Sequence, residues 1–159
     1  MSTEEKKLPT NYIESVFPAP ALGDADYPVA TVAMNVLGYR LFEEVRTKRN
    51  LSYAPSARLS SNLSIGIGLL YVTAVDPNTT IKVMYDELKR IQSEPVPEKE
   101  LAGSKSLFLT SYLMENEPTD GQGSMLARAQ LLGGDWHLAK TLPERIRAVK
   151  AADVQAFAK

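Results

Sequence analysis

Arg40-Leu41-Phe42-Glu43-Glu44-Val45-Arg46-Thr47-Lys48-Arg49-Asn50-Leu51-Ser52-Tyr53 is the stretch where a long helix has to stop and a strand begin. Upstream of it, Val32, Ala33, Val36, Leu37, Leu41 and Val45 recur at three- and four-residue steps, the spacing of one helix face. Pro28 suits the first turn, where its missing N–H needs no partner. The spacing predicts a helix from Pro28 to about Arg49, roughly 33 Å long, with Gly38 as a weak point and Asn50 as a left-handed stop.

Downstream, Ser52–Leu59 and Ser64–Val75 read as two strands joined by Ser60-Ser61-Asn62-Leu63, a hairpin-length connection. In the second strand Ile65, Ile67, Leu69, Tyr71, Thr73 and Val75 share one face. Gly66 and Gly68 thin the other, where something can pack closely. Before the helix, residues 1–10 read as a polar, disordered tail, and Tyr12–Phe17 as a strand stopped by Pro18 and Pro20. After the hairpin, Asp76-Pro77 predicts a capped helix with Ile81, Met84, Tyr85, Leu88 and Ile91 as its buried stripe. Further helices are expected near Pro97–Asn116, Pro118–Leu132, 143–149 and 151–158.

Strand, long helix, β-hairpin and then helices give an α+β class, with helices packed on one face of an antiparallel sheet. The last helix has no Gly or Asn stop before Lys159, so the domain is expected to continue past it, with this chain truncated at the C-terminus.

Composition narrows the chemistry. The 159 residues carry 18 Lys+Arg against 19 Asp+Glu, one His and no Cys, which suits one domain. A net charge of −1 offers no general grip on nucleic acid or anionic lipid. The apolar run Leu63–Val75 is too short and interrupted to span a bilayer, and no signal peptide is visible at Met1–Lys7, so the compartment stays open. Without Cys there is no disulfide, no Cys-zinc site and no thiol catalysis. His137 alone cannot supply a zinc centre, and H-x-x-E-H, H-E-x-x-H and G-x-S-x-G are all absent. No phosphate-cradling loop exists either: Gly66-Ile67-Gly68 sits in a strand, and Gly121-Gln122-Gly123 follows none. His137, after the Gly133-Gly134 break, reads as a loop residue. No catalytic residue and no metal ligand set is expected in this chain.

The opening segment says more. At 100° per residue Tyr39, Phe42 and Arg46 fall on one edge of the helix, away from Leu37, Leu41 and Val45. The reversal at Asn50 brings Tyr53 back towards that edge, so Arg46 and Tyr53 can place a five-donor fork beside a phenolic hydroxyl. Such a pair suits a peptide carbonyl or carboxylate. A plainer reading stands beside it: a cation in the last turn favours the helix dipole, and a strand tyrosine packs in its sheet. Pro55 points to an edge strand, to which an extended peptide could add.

The run Arg40–Tyr53 resembles the pitrilysin/insulinase family of zinc metallopeptidases. So do the preceding Val16-Phe17-Pro18-Ala19-Pro20-Ala21-Leu22 and Asp24-Ala25-Asp26-Tyr27-Pro28. More specifically, the chain is similar to the C-terminal, non-metal-binding domain of bacterial processing-peptidase-like members. The resemblance covers about residues 11–159 and includes Glu94–Leu101 and Ala151–Val154; R-x-K-R-x-L-x-Y after L-F-E-E-V is its most specific part. It implies a LuxS/MPP-like metallohydrolase fold, one of two homologous halves closing as a clam shell. The other half carries zinc on H-x-x-E-H and a further Glu. This half has lost those ligands and supplies Arg46 and Tyr53 to hold the substrate backbone and stabilise the oxyanion.

The chain departs from the family pattern in three places. Gly38-Tyr39 stand where a longer Gly/Ser-rich break is usual, so an unkinked helix is expected. Ser52 replaces the usual Gly or Ala, and a further strand usually follows the last helix.

The resemblance therefore implies the substrate-binding, catalytically incomplete half of a zinc endopeptidase, inactive by itself. Its expected partners are the zinc-bearing half, fused or separate, a peptide substrate and a second copy of the fragment. No cofactor is expected in this chain, and zinc is expected in the other half. The alternative is a non-catalytic scaffold of the same fold.

Overall fold

Val32, Val36, Leu41 and Val45 are wholly buried, because their spacing puts them on the helix face that meets the rest of the core. In the computed structural model, which describes residues 10–60 and 65–159, these residues lie on α1 (Tyr27–Leu41) and on a π-helical segment (Phe42–Thr47) continuous with it. The expected single α-helix to Arg49 is thus corrected: its last turns are wound with i→i+5 bonds, as in Lys48 N–H to the Glu43 carbonyl at 2.9 Å. No kink interrupts it at Gly38, which lets the helix lie against the backbone of Ala57.

The sheet has three strands in the order β1-β3-β2, all antiparallel: β1 (Asn11–Pro18), β2 (Ser56–Leu59) and β3 (Ile67–Ala74). Thr10, assigned to the tail, donates its hydroxyl to the Ala74 carbonyl; the rest of that tail lies outside the described residues. Pairing of Phe17 with Gly68, Ile13 with Val72 and Ala57 with Leu70 gathers these residues on the buried face. A Cβ at Gly68 would stand 2.3 Å from the Phe17 ring, so the thin face is the core face and Phe17 is what packs there. The opposite face, with Tyr12, Val16 and Tyr71, is open among the described residues. Two strands are shorter than expected. β2 begins only after Pro55, which has no N–H to give a ladder. Of the predicted second strand, Ile65 and Gly66 precede the ladder and Ser64 lies outside the described residues, as do Ser61–Leu63 of the hairpin connection.

Five helices follow: α2 (Pro77–Ser93), α3 (Glu98–Glu115), α4 (Thr119–Gly133), α5 (His137–Ala148) and α6 (Ala151–Ala158). Asp76 caps α2 by accepting from Thr79 N–H. The buried stripe of α2 is Thr80, Val83, Met84, Glu87 and Ile91, while Tyr85 is 59% exposed. This corrects the apolar stripe: Thr80 can be buried because its hydroxyl donates to the Asp76 carbonyl. α5 begins six residues earlier than expected, with Pro143 inside it. Proline removes the N–H that would reach Ala139, and the Tyr112 hydroxyl of α3 donates to that carbonyl instead. The helix α1 is central, packed against β2, α2, α3, α5 and α6.

Candidate functional site

Leu41 and Val45 anchor one side of the helical segment in the core, so the opposite side must carry Phe42 and Arg46 outwards. Positions four apart lie on one side of a helix. The structure accordingly sets the Arg46 guanidinium carbon 4.8 Å from the centroid of the Phe42 ring. Tyr39, expected on the same edge, lines a different cleft.

Past Thr47 the chain turns at Asn50, whose φ of 50° is left-handed and within reach of asparagine. Asn50 N–H bonds to the Arg46 carbonyl and Leu51 N–H to the Val45 carbonyl, each at 2.9 Å. These bonds fold residues 50–53 back along the helix end. Ser52 is buried, 3.4 Å from the Thr73 hydroxyl, and the next residue is thrown outwards. Tyr53 is 76% exposed, and its ring centroid lies 4.2 Å from the Arg46 guanidinium carbon. The two residues singled out in the sequence are therefore in contact, and Tyr53 lies in the turn before β2 and outside the sheet.

Charge pairing distinguishes Arg46 from its neighbours. Lys48 and Arg49 both reach the Glu44 carboxylate at 2.5 Å and hold it below the usual carboxylate range, Lys48 most strongly. Arg40, almost fully buried, makes a bidentate pair with Glu100 at 2.6 and 2.9 Å. Arg46 has no carboxylate within reach among the described residues; its contacts are the faces of two rings. Rings stacked on a guanidinium leave its in-plane N–H groups available. Beside the pair is an open cleft of about 310 Å³ lined by Thr10, Asn50, Leu51, Ser52, Thr73 and Val75, and Thr73 belongs to the open face of the sheet. A guanidinium without a carboxylate among the described residues and the exposed Tyr53 phenol at such a cleft suit an acceptor-rich, extended ligand.

A larger cleft of about 660 Å³ lies between α1, the π segment and α3, but its Arg40, Lys48 and Arg90 are each engaged by carboxylates. His137 opens α5 where a loop had been expected. It stacks on Trp136 at 3.7 Å and meets Asp135 at 2.7 Å. Among the described residues no three of His, Asp and Glu gather as a metal site, and the single His and missing Cys do not fit zinc. No helix there is long and apolar enough to cross a membrane.

Sequence reasoning placed Phe42 on the right edge without giving it a role. Thr10 and Thr73 were missed, because only the β1–β3 register brings residues so distant in sequence to one cleft.

The family model described as the Peptidase M16 inactive domain matches residues 2–108. Among solved structures, the chain is 24% identical to the inactive peptidase domain of a candidate zinc protease from Bordetella parapertussis. The TM-score is 0.83, covering 99% of this chain and 88% of that one. A candidate zinc protease from Bordetella pertussis Tohama I is similar at 24% identity and TM-score 0.80, covering 94% and 86%. A chain of Complex III2 from Candida albicans matches at 22% identity and TM-score 0.83, covering 97% of this chain and 40% of that one. No curated protein matches.

Proposed function

This chain belongs to the Peptidase M16 inactive-domain family, and from that premise we propose that it is the substrate-gripping half of a zinc endopeptidase whose metal centre sits on a homologous half. Arg46 and Tyr53 hold the backbone of an extended peptide and direct donors at the oxygen of the scissile carbonyl. The observation that carries this reading is a guanidinium with no acidic partner among the described residues, stacked between Phe42 and an exposed Tyr53 beside an open cleft. Buried or paired cations such as Arg40 and Arg49 serve structure; Arg46 is left over for a ligand.

Donors preset for developing negative charge in a closed chamber contribute about 3–4 kcal/mol each to lowering a barrier, and fixing the peptide adds to that. Neither residue activates water, and the zinc half supplies that chemistry.

The test is turnover of a quenched fluorescent peptide by the chain combined with its zinc-bearing half. Arg46→Ala and Tyr53→Phe should each lower turnover roughly 10²–10³-fold. The 159-residue chain by itself should cleave nothing and bind no stoichiometric zinc in calorimetry. Chelator-sensitive hydrolysis by the isolated chain, or wild-type turnover in both variants, contradicts the reading. The likeness to a chain of Complex III2 favours a second reading, a scaffold with no part in proteolysis; finding no zinc-binding homologue in the full-length protein or its assembly would favour it.

A further inference from the structure

We propose that Phe42 is a positioning residue for Arg46: its ring, together with that of Tyr53, confines the guanidinium to the plane in which its N–H edge faces the cleft. This rests on the peptide-gripping reading for its consequence in catalysis, though not for the contact itself. Arginine has several rotatable bonds and loses considerable freedom when one rotamer is selected. An arginine held by nothing samples many orientations, and an oxygen acceptor has to order it on arrival. In this chain that ordering is built in. Phe42 lies at 4.8 Å and Tyr53 at 4.2 Å from the same guanidinium carbon, both within the range of a cation–π contact.

Two further features point the same way. Phe42 is 38% exposed, on the side of the helix away from the wholly buried Leu41. Its ring faces Arg46 on the outer side, where a leucine or a charged residue would satisfy solvent equally well. The residues from Phe42 to Thr47 are π-helical, a winding found in short pieces and frequently at functional sites, and positions 42 and 46, four apart, share one side of it. Helix and ring together act as a preorganising device, which improves binding by reducing what must be ordered later.

The experiment compares Phe42→Leu, which keeps apolar bulk without a ring, with Phe42→Tyr, which keeps the ring. In the full chain, the Arg46 Nε–Hε resonance should be shifted upfield by ring currents. It should move towards the free-arginine position in Phe42→Leu and return in Phe42→Tyr, with the urea midpoint nearly unchanged in both. An Arg46 resonance that does not respond to Phe42→Leu overturns the inference whatever the chain's function. With the zinc-bearing half added, Phe42→Leu should lower turnover roughly 10–10²-fold, the cost of a misplaced group, and Phe42→Tyr should restore it. Turnover that falls in Arg46→Ala but holds in Phe42→Leu overturns the inference and leaves the gripping role intact. Turnover that holds in Arg46→Ala overturns the gripping role, and the resonance then decides the inference alone.

Discussion

Arg40 and Arg46 are six positions apart on one helical rod and have opposite fates. Arg40 points inward, 4% exposed, and is held by both oxygens of Glu100 on α3; the bond to that carboxylate outweighs burial and raises its pKa. Arg46 points outward and meets only rings. Removing a partner from a buried pair leaves a charge that has already lost its water, so the cost is far larger than for a surface bridge. Glu100→Ala should therefore destabilise the domain by about 3–5 kcal/mol in urea unfolding. Lys48→Ala, which loses a surface bridge to Glu44, should cost under about 1 kcal/mol. The spacing set Arg46 on the outer edge and left Arg40 without a role; only the tertiary structure gave Arg40 its carboxylate, sixty residues away.

At the scale of elements, Pro143 shows how a local rule is overridden. Its position suggested a helix start, yet α5 runs from His137 through it. The helix tolerates proline because the Ala139 carbonyl, deprived of its i+4 donor, receives the hydroxyl of Tyr112. That substitute comes from α3, and the long stretch between them hides it from any reading of α5 alone. Tyr112→Phe should leave the carbonyl without a donor and cost about 1–3 kcal/mol, and Pro143→Ala in the same background should recover most of it by restoring a backbone donor. Thermal or urea unfolding of the two variants measures both values. The π segment has the same lesson: apolar spacing located the helix, while the change from i→i+4 to i→i+5 bonds left no mark in the apolar pattern.

Across the whole molecule, α1 collects the core. Val32 and Val36 meet Leu70 and Val72 of the sheet and Ile146 and Val154 of the last two helices within one cluster. By contrast, α4 buries only Ala129 among its residues and packs mainly on α5. Opening free energy follows buried apolar contact, so amide exchange in α4 should be markedly faster than in α1, which should exchange only with global unfolding. Equal protection of the two helices would contradict this. The proposed gripping site sits on the well-anchored side, at the end of α1, where rigid support keeps donors in place.

Residue types and their spacing were enough to identify the strands, the long helix, the capped helix at Asp76 and the left-handed stop at Asn50, because each follows from forces acting within a few residues. The resemblance carried by Arg40–Tyr53 was equally local. Tertiary structure decided which sheet face is buried, which arginine is paired and which cation is left to stack on aromatic rings. Those outcomes depend on partners brought from far along the chain, and burial and charge compensation are properties of the finished packing.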